Sequence, residues 1–112
     1  MEKMKSEITF TDEKIQAAFE KLKESKTEDK KLYDWIVRAF EDLEENAFAG
    51  IQIPKRIIPK EYKMKCNVDN LWKYNLPNAW RLIYTVANDK VTILSIILEW
   101  MNHKDYEKRF KY

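Results

Sequence analysis

Arg81, His103 and Tyr106, with a run of cations between Lys55 and Lys65, are residues whose side chains could bind an anion or move a proton. An arginine offers a planar fork of donors and keeps its charge at any relevant pH, so Arg81 can grip a phosphate. His103, the only histidine, can exchange a proton near neutral pH. Tyr106, or Tyr112 beyond it, can stack on a base or relay a proton. Lys55, Arg56, Lys60, Lys63 and Lys65 are opposed locally only by Glu61 and Asp69. Lysines and arginines of that loop can hold flanking phosphates, and Lys73 and Arg109 extend the set. Each candidate has a structural alternative. Arg81 can serve in an ion pair within a strand, His103 can be a surface or helix-end residue, and Tyr106 with Phe110 can dock the tail onto a core.

Other chemistries lack their residues. One Cys and one His cannot build a zinc site, and a single Gly leaves no glycine-rich phosphate loop or nucleophile elbow. No cofactor is implied. Cys66 has no partner for an internal disulfide, and the opening MEKMKSE carries charge without an apolar run. Both point to a cytoplasmic protein. The longest apolar stretch, Val91 to Leu98, is too short for a membrane span. At 112 residues the expectation is one domain over 1–112. Charge is polarised: residues 1–50 hold 9 Lys and Arg against 13 Asp and Glu, and residues 51–112 hold 12 against 6. The second half is therefore the candidate for contact with a polyanion, unless it simply faces the acidic half of the same molecule.

The elements that must position these residues follow from periodicity. Residues 7–10, EITF, alternate as a short first strand. Thr11 or Asp12 offers a helix cap, and Ile15, Ala18, Phe19 and Leu22 mark one face of a helix of about three turns. Ser25 and Glu28 have the spacing of a capping box opening a second helix from about Thr27 to Asn46, striped by Leu32, Ile36, Phe40 and Leu43. Gly50 stands as its terminator. Pro54 and Pro59 make 51–70 a loop with one helical turn after Pro59.

From Asn70 onward the chain reads as three antiparallel strands and a short C-terminal helix. In the middle strand Trp80, Leu82, Tyr84 and Val86 share one face and Arg81, Ile83, Thr85 and Ala87 the other. Asn88-Asp89 suits a two-residue turn, and the strand from Val91 to Leu98 is apolar on both faces, hence central. The fold class expected is α+β, with the helix hairpin packed on one face of a twisted antiparallel sheet. The other face, if open, presents Arg81.

This order of elements, with Arg81, Leu82, Ile83 and Tyr84, then Asn88-Asp89, Val91 to Ile97, His103 and Tyr106, resembles the RelE/ParE toxin superfamily of type II toxin–antitoxin pairs. The resemblance covers most of the chain and is strongest from Asn70 to Tyr112. It implies a ribosome-dependent mRNA endonuclease that cleaves without metal by 2′-hydroxyl attack on the neighbouring phosphate. Arg81, His103 and Tyr106 would be catalytic, joined by Glu61, since RNA-cleaving relatives pair the arginine with a carboxylate. Lys55, Arg56, Lys60, Lys63, Lys73 and Arg109 would bind RNA, and an antitoxin protein would silence the chain. The alternatives are a non-catalytic member of the fold, directed at a topoisomerase or retained as an interaction module, and a homodimer built on exposed Trp35, Trp72 or Trp100.

Overall fold

The computed structural model describes residues 3–89 and 91–110; Tyr112 lies outside them. The chain runs β1 (Glu7–Phe10), α1 (Glu13–Lys23), α2 (Glu28–Glu45), β2 (Ile51–Gln52), a 3-10 turn at Lys55–Ile57, α3 (Lys60–Lys65), β3 (Trp72–Asn75), β4 (Arg81–Asp89), β5 (Thr92–Met101) and α4 (His103–Phe110). The fold is α+β, with one five-stranded sheet in the order β1-β5-β4-β3-β2. Pairings from β2 to β5 are antiparallel, but β1 lies parallel to β5. The sheet is thus mixed where a wholly antiparallel one was expected. Side-chain alternation has period two in either direction, so the pattern of a strand cannot reveal which way its neighbour runs.

The ends of the helices show how local signals were used. Asp12 caps α1, its carboxylate accepting from the Ile15 N–H at 2.9 Å. Ser25 is not the cap of α2. Its hydroxyl accepts from the Thr27 N–H at 3.2 Å, and the extended Thr27 precedes the helix without a side-chain cap. At the other end Asn46 terminates α2, its side-chain oxygen accepting from the Phe48 and Met4 N–H groups. Gly50 therefore has a different purpose from termination. A Cβ there would sit 2.5 Å from the Lys73 carbonyl and 2.6 Å from the Tyr84 hydroxyl. That hydroxyl accepts from the Gly50 N–H and donates to the Ala47 carbonyl, so glycine is demanded by close approach.

The sheet is covered on both faces. On one, Phe19 of α1 and Leu32, Ile36 and Leu43 of α2 pack on Leu82, Tyr84 and Ile97. On the other, Ile53, Ile58, Tyr62 and Leu71 from the 51–71 segment join Tyr106 and Phe110 of α4 over Ile83, Leu98 and Met101. The alternation in β4 holds, but its second face is not open. Ile83, Leu98 and Met101 are apolar and would cost roughly 1.5–3 kcal/mol each if left in water, so the loop and the tail return to cover them. Asn70 ties that segment to β4, its side chain accepting from the Val86 N–H and the Trp72 indole and donating to the Val86 carbonyl.

The extent of β4 and one shift of register decide which side chains meet across β4 and β5. Asn88 and Asp89 pair with Ile93 and Thr92 instead of forming the turn, so both belong to β4. Further along, Tyr84 pairs with Ile97 but Ile83 with Glu99, leaving Leu98 as the extra residue of a β-bulge. Leu98 and Glu99 consequently both face α3 and α4, and Trp100 returns to the helix-hairpin side.

Gly50→Ala is expected to lower stability by about 1–3 kcal/mol through overpacking, measured by denaturant unfolding. A loss below a few tenths would show that the Lys73 backbone and the Tyr84 ring yield freely. A pH effect comes from Tyr74, whose hydroxyl donates to Asp42 of α2. Burial first, then the hydrogen bond to and charge of Asp42, push the Tyr74 pKa from 10.0 up to about 12. The folded state holds this proton more tightly than the unfolded chain. The resulting stabilisation is complete below pH 10.0 and is lost as pH rises through about 12. Tyr74→Phe should flatten the fall in stability over that alkaline interval, and an unchanged slope would remove Tyr74 as its source.

Candidate functional site

Arg81 opens β4 with Asn75 of β3 on one side and Met101 of β5 on the other. A tight turn fixes this start: Asn78 and Ala79 both take left-handed backbone angles (φ 57° and 61°), and the Leu76 N–H donates to the Trp80 carbonyl at 2.9 Å. The Arg81 side chain curls back, donating from Nη1 to the Trp80 carbonyl at 3.2 Å, while its guanidinium lies 5.6 Å from the centre of the Tyr106 ring. The ammonium of Lys73, on the neighbouring strand and the same face, lies 4.9 Å from that ring. The electron-rich face of an aromatic ring attracts cations, which explains the grouping. Among the described residues Arg81 forms no ion pair with a carboxylate. Its Nε is buried with no hydrogen-bond partner among them. An unsatisfied buried donor on a charged group is costly.

On the other flank of α4 the charges are saturated. Glu99, turned inward by the bulge, accepts from the Tyr62 hydroxyl at 2.5 Å and from Arg109 at 2.9 Å. Arg109 also reaches Glu61 at 3.4 Å. Burial first, then the hydrogen bond to Glu99 and its charge, hold the Tyr62 phenol well above its ordinary pKa, against the opposing pull of Arg109. Burial works against the charge of Arg109, but Glu99, Tyr62 and Glu61 outweigh it and raise its pKa. The cluster borders a cleft of about 450 Å³ that also touches Asp12, Lys65 and Cys66. Tyr62 stays protonated here and Arg109 is neutralised by two carboxylates, so neither is poised as a base or as a free phosphate grip.

The residues expected from sequence are therefore dispersed. Arg81, Tyr106 and Lys73 come together. Glu61 and Arg109 come together with each other. His103 begins α4 on its exposed side and meets Glu107 at 2.7 Å. Tyr106 is only 2% exposed, which leaves its ring no room to stack on a base; the two cations lie against it. Lys55 and Arg56 on the 3-10 turn and Lys60 and Lys63 on α3 are all exposed, held near α4 by the buried Ile58 and Tyr62. Arg56 and Lys60 border a second concavity of about 440 Å³ beside Arg109 and Phe110. Trp35, Trp72 and Trp100 are part-buried, not exposed: all three pack against the hairpin-side core, and Trp72 stacks on Phe48 and Tyr84.

Sequence reasoning missed Glu99 and Tyr62. The available signal was Glu99 itself, the one acid in the apolar run from Val91 to Met101, which a bulge-free strand would have sent to the wrong face. Tyr62→Phe should cost roughly 1–3 kcal/mol, because Glu99 loses a donor that water reaches poorly. Thermal and denaturant unfolding measure it, and a neutral result would mean that solvent replaces the phenol.

Among the described residues no helix is long and apolar enough to cross a membrane. Compared with protein-family models, curated proteins and solved structures, the chain finds no match.

Proposed function

We propose that this chain is a RelE-like protein that binds RNA phosphates at Arg81 and acts as a metal-free mRNA endonuclease on the ribosome, silenced by an antitoxin protein. The observation that carries the reading is the state of Arg81: a half-buried guanidinium without a carboxylate partner among the described residues and with an unsatisfied Nε. The sequence likeness from Asn70 to Tyr112 supports it, as do the helix hairpin on one face and the short helix after the last strand. In this reading Arg81 neutralises charge developing on the attacked phosphate, and the exposed Lys55, Arg56, Lys60 and Lys63 hold flanking phosphates. His103 supplies or removes a proton from the exposed side of α4.

A second reading, a non-catalytic member of the same fold, is favoured by one observation. Glu61, the carboxylate assigned to work with the arginine, is bound by Arg109 instead. The carboxylate expected beside the arginine is thus engaged elsewhere, an arrangement that supports binding without cleavage.

Incubating the purified chain with translating ribosomes and mapping message ends separates the two. Cleavage that falls by about a hundredfold or more in Arg81→Ala, with unfolding unchanged, is the expected result. Cleavage that survives the substitution removes Arg81 from the mechanism. RNA binding or topoisomerase inhibition without cutting selects the second reading.

A further inference from the structure

We infer that Glu99 is a positioning residue for the Arg81 face: turned into the seam between α3 and α4 by the bulge in β5, it grips Arg109 and so sets the rotation of α4 that places the Tyr106 ring beside the Arg81 guanidinium. The inference rests on reading the Arg81 face as an anion site. α4 has only eight residues, too few to hold a helix in place without tertiary contacts. Tyr106 and Phe110 fasten it to the core, and the hydrogen bond and ion pairs of Arg109 add contacts of fixed direction.

Arg109 donates to Glu99 Oε2 at 2.9 Å and meets Glu61 at 3.4 Å, while the Tyr62 hydroxyl donates to the same Glu99 oxygen. Tyr106 and Arg109 are three residues apart, about 60° around a helix axis. A turn of α4 that loosened the Arg109 clasp would therefore swing the Tyr106 ring relative to Arg81 and Lys73. The bulge is what makes this possible. Without Leu98 as the extra residue, Glu99 would share the helix-hairpin face with Ile97. Bulges re-aim single side chains in this way. The carboxylate so aimed belongs to a strand in the sheet interior, so it is a rigid reference for the tail.

Glu99→Gln keeps the size of the side chain and an acceptor for Tyr62 while removing the charge that holds Arg109. Two readouts test it. The first is the Nε–Hε signal of Arg81 by NMR, shifted by the Tyr106 ring and slow to exchange in the native chain. The second is the Kd for a single-stranded RNA oligonucleotide in the native chain, Glu99→Gln, Arg81→Ala and the double variant. The expected result is loss of the ring shift and affinity weakened about threefold or more by Glu99→Gln, with no further loss when Arg81 is already Ala. An unchanged Arg81 signal and Kd would overturn the inference. So would an equal loss in both backgrounds, which marks a merely structural role. Should Glu99→Gln fail to fold, Arg109→Lys keeps the charge but loses the planar fork and is expected to give the same two changes. A native chain with no RNA affinity sinks the functional reading instead, and the Arg81 signal then decides the positioning alone.

Discussion

Apolar side chains stand on both faces of the central strand pair, and that constraint shapes the rest of the molecule. Leu82, Tyr84 and Ile97 require one cover and Ile83, Leu98 and Met101 another. A helix hairpin cannot supply both. The proline-interrupted segment after it and the tail after the sheet must return as a second layer, which is why a chain of this size has two small cores on either side of one sheet.

The second layer determines which charges are available. Building it brings α3 and α4 side by side over the end of β5, where Arg109, Glu61, Glu99 and Tyr62 satisfy one another. It also lays Tyr106 next to Arg81 and Lys73. Two arginines on the same layer thus have opposite states. Arg109 is held by two carboxylates, whereas Arg81 meets its own neighbour's carbonyl and an aromatic face, with no carboxylate among the described residues. Low local dielectric magnifies the difference, because an unmatched donor inside a fold costs more than one in water. The asymmetry is what sets Arg81 apart from Arg109.

The bulge in β5 links these two environments. One inserted residue turns Glu99 from the face that its alternation would assign to the face where α4 docks. A carboxylate on an interior strand then anchors the tail that carries the aromatic support of Arg81. Sheet irregularity, helix placement and the electrostatics of the basic face are one connected arrangement.

By itself the sequence determined the α+β class, the two amphipathic helices, the short first strand, the strand faces around Arg81 and the helical turn after Pro59. Each rests on local periodicity, on capping chemistry or on proline geometry, which act over a few residues. Local signals were weaker at their edges: Ser25 had the spacing of a cap without being one, and Gly50 read as a terminator when its neighbours in space forbid a Cβ. Only the tertiary structure decided the parallel placement of β1, the closing of the second face, the bulge that re-aims Glu99, and the pairing of Arg109 in place of Arg81. Those depend on contacts between residues far apart in the chain. In such contacts a side chain's partner is chosen by the geometry of the whole sheet, and no short window of sequence contains it.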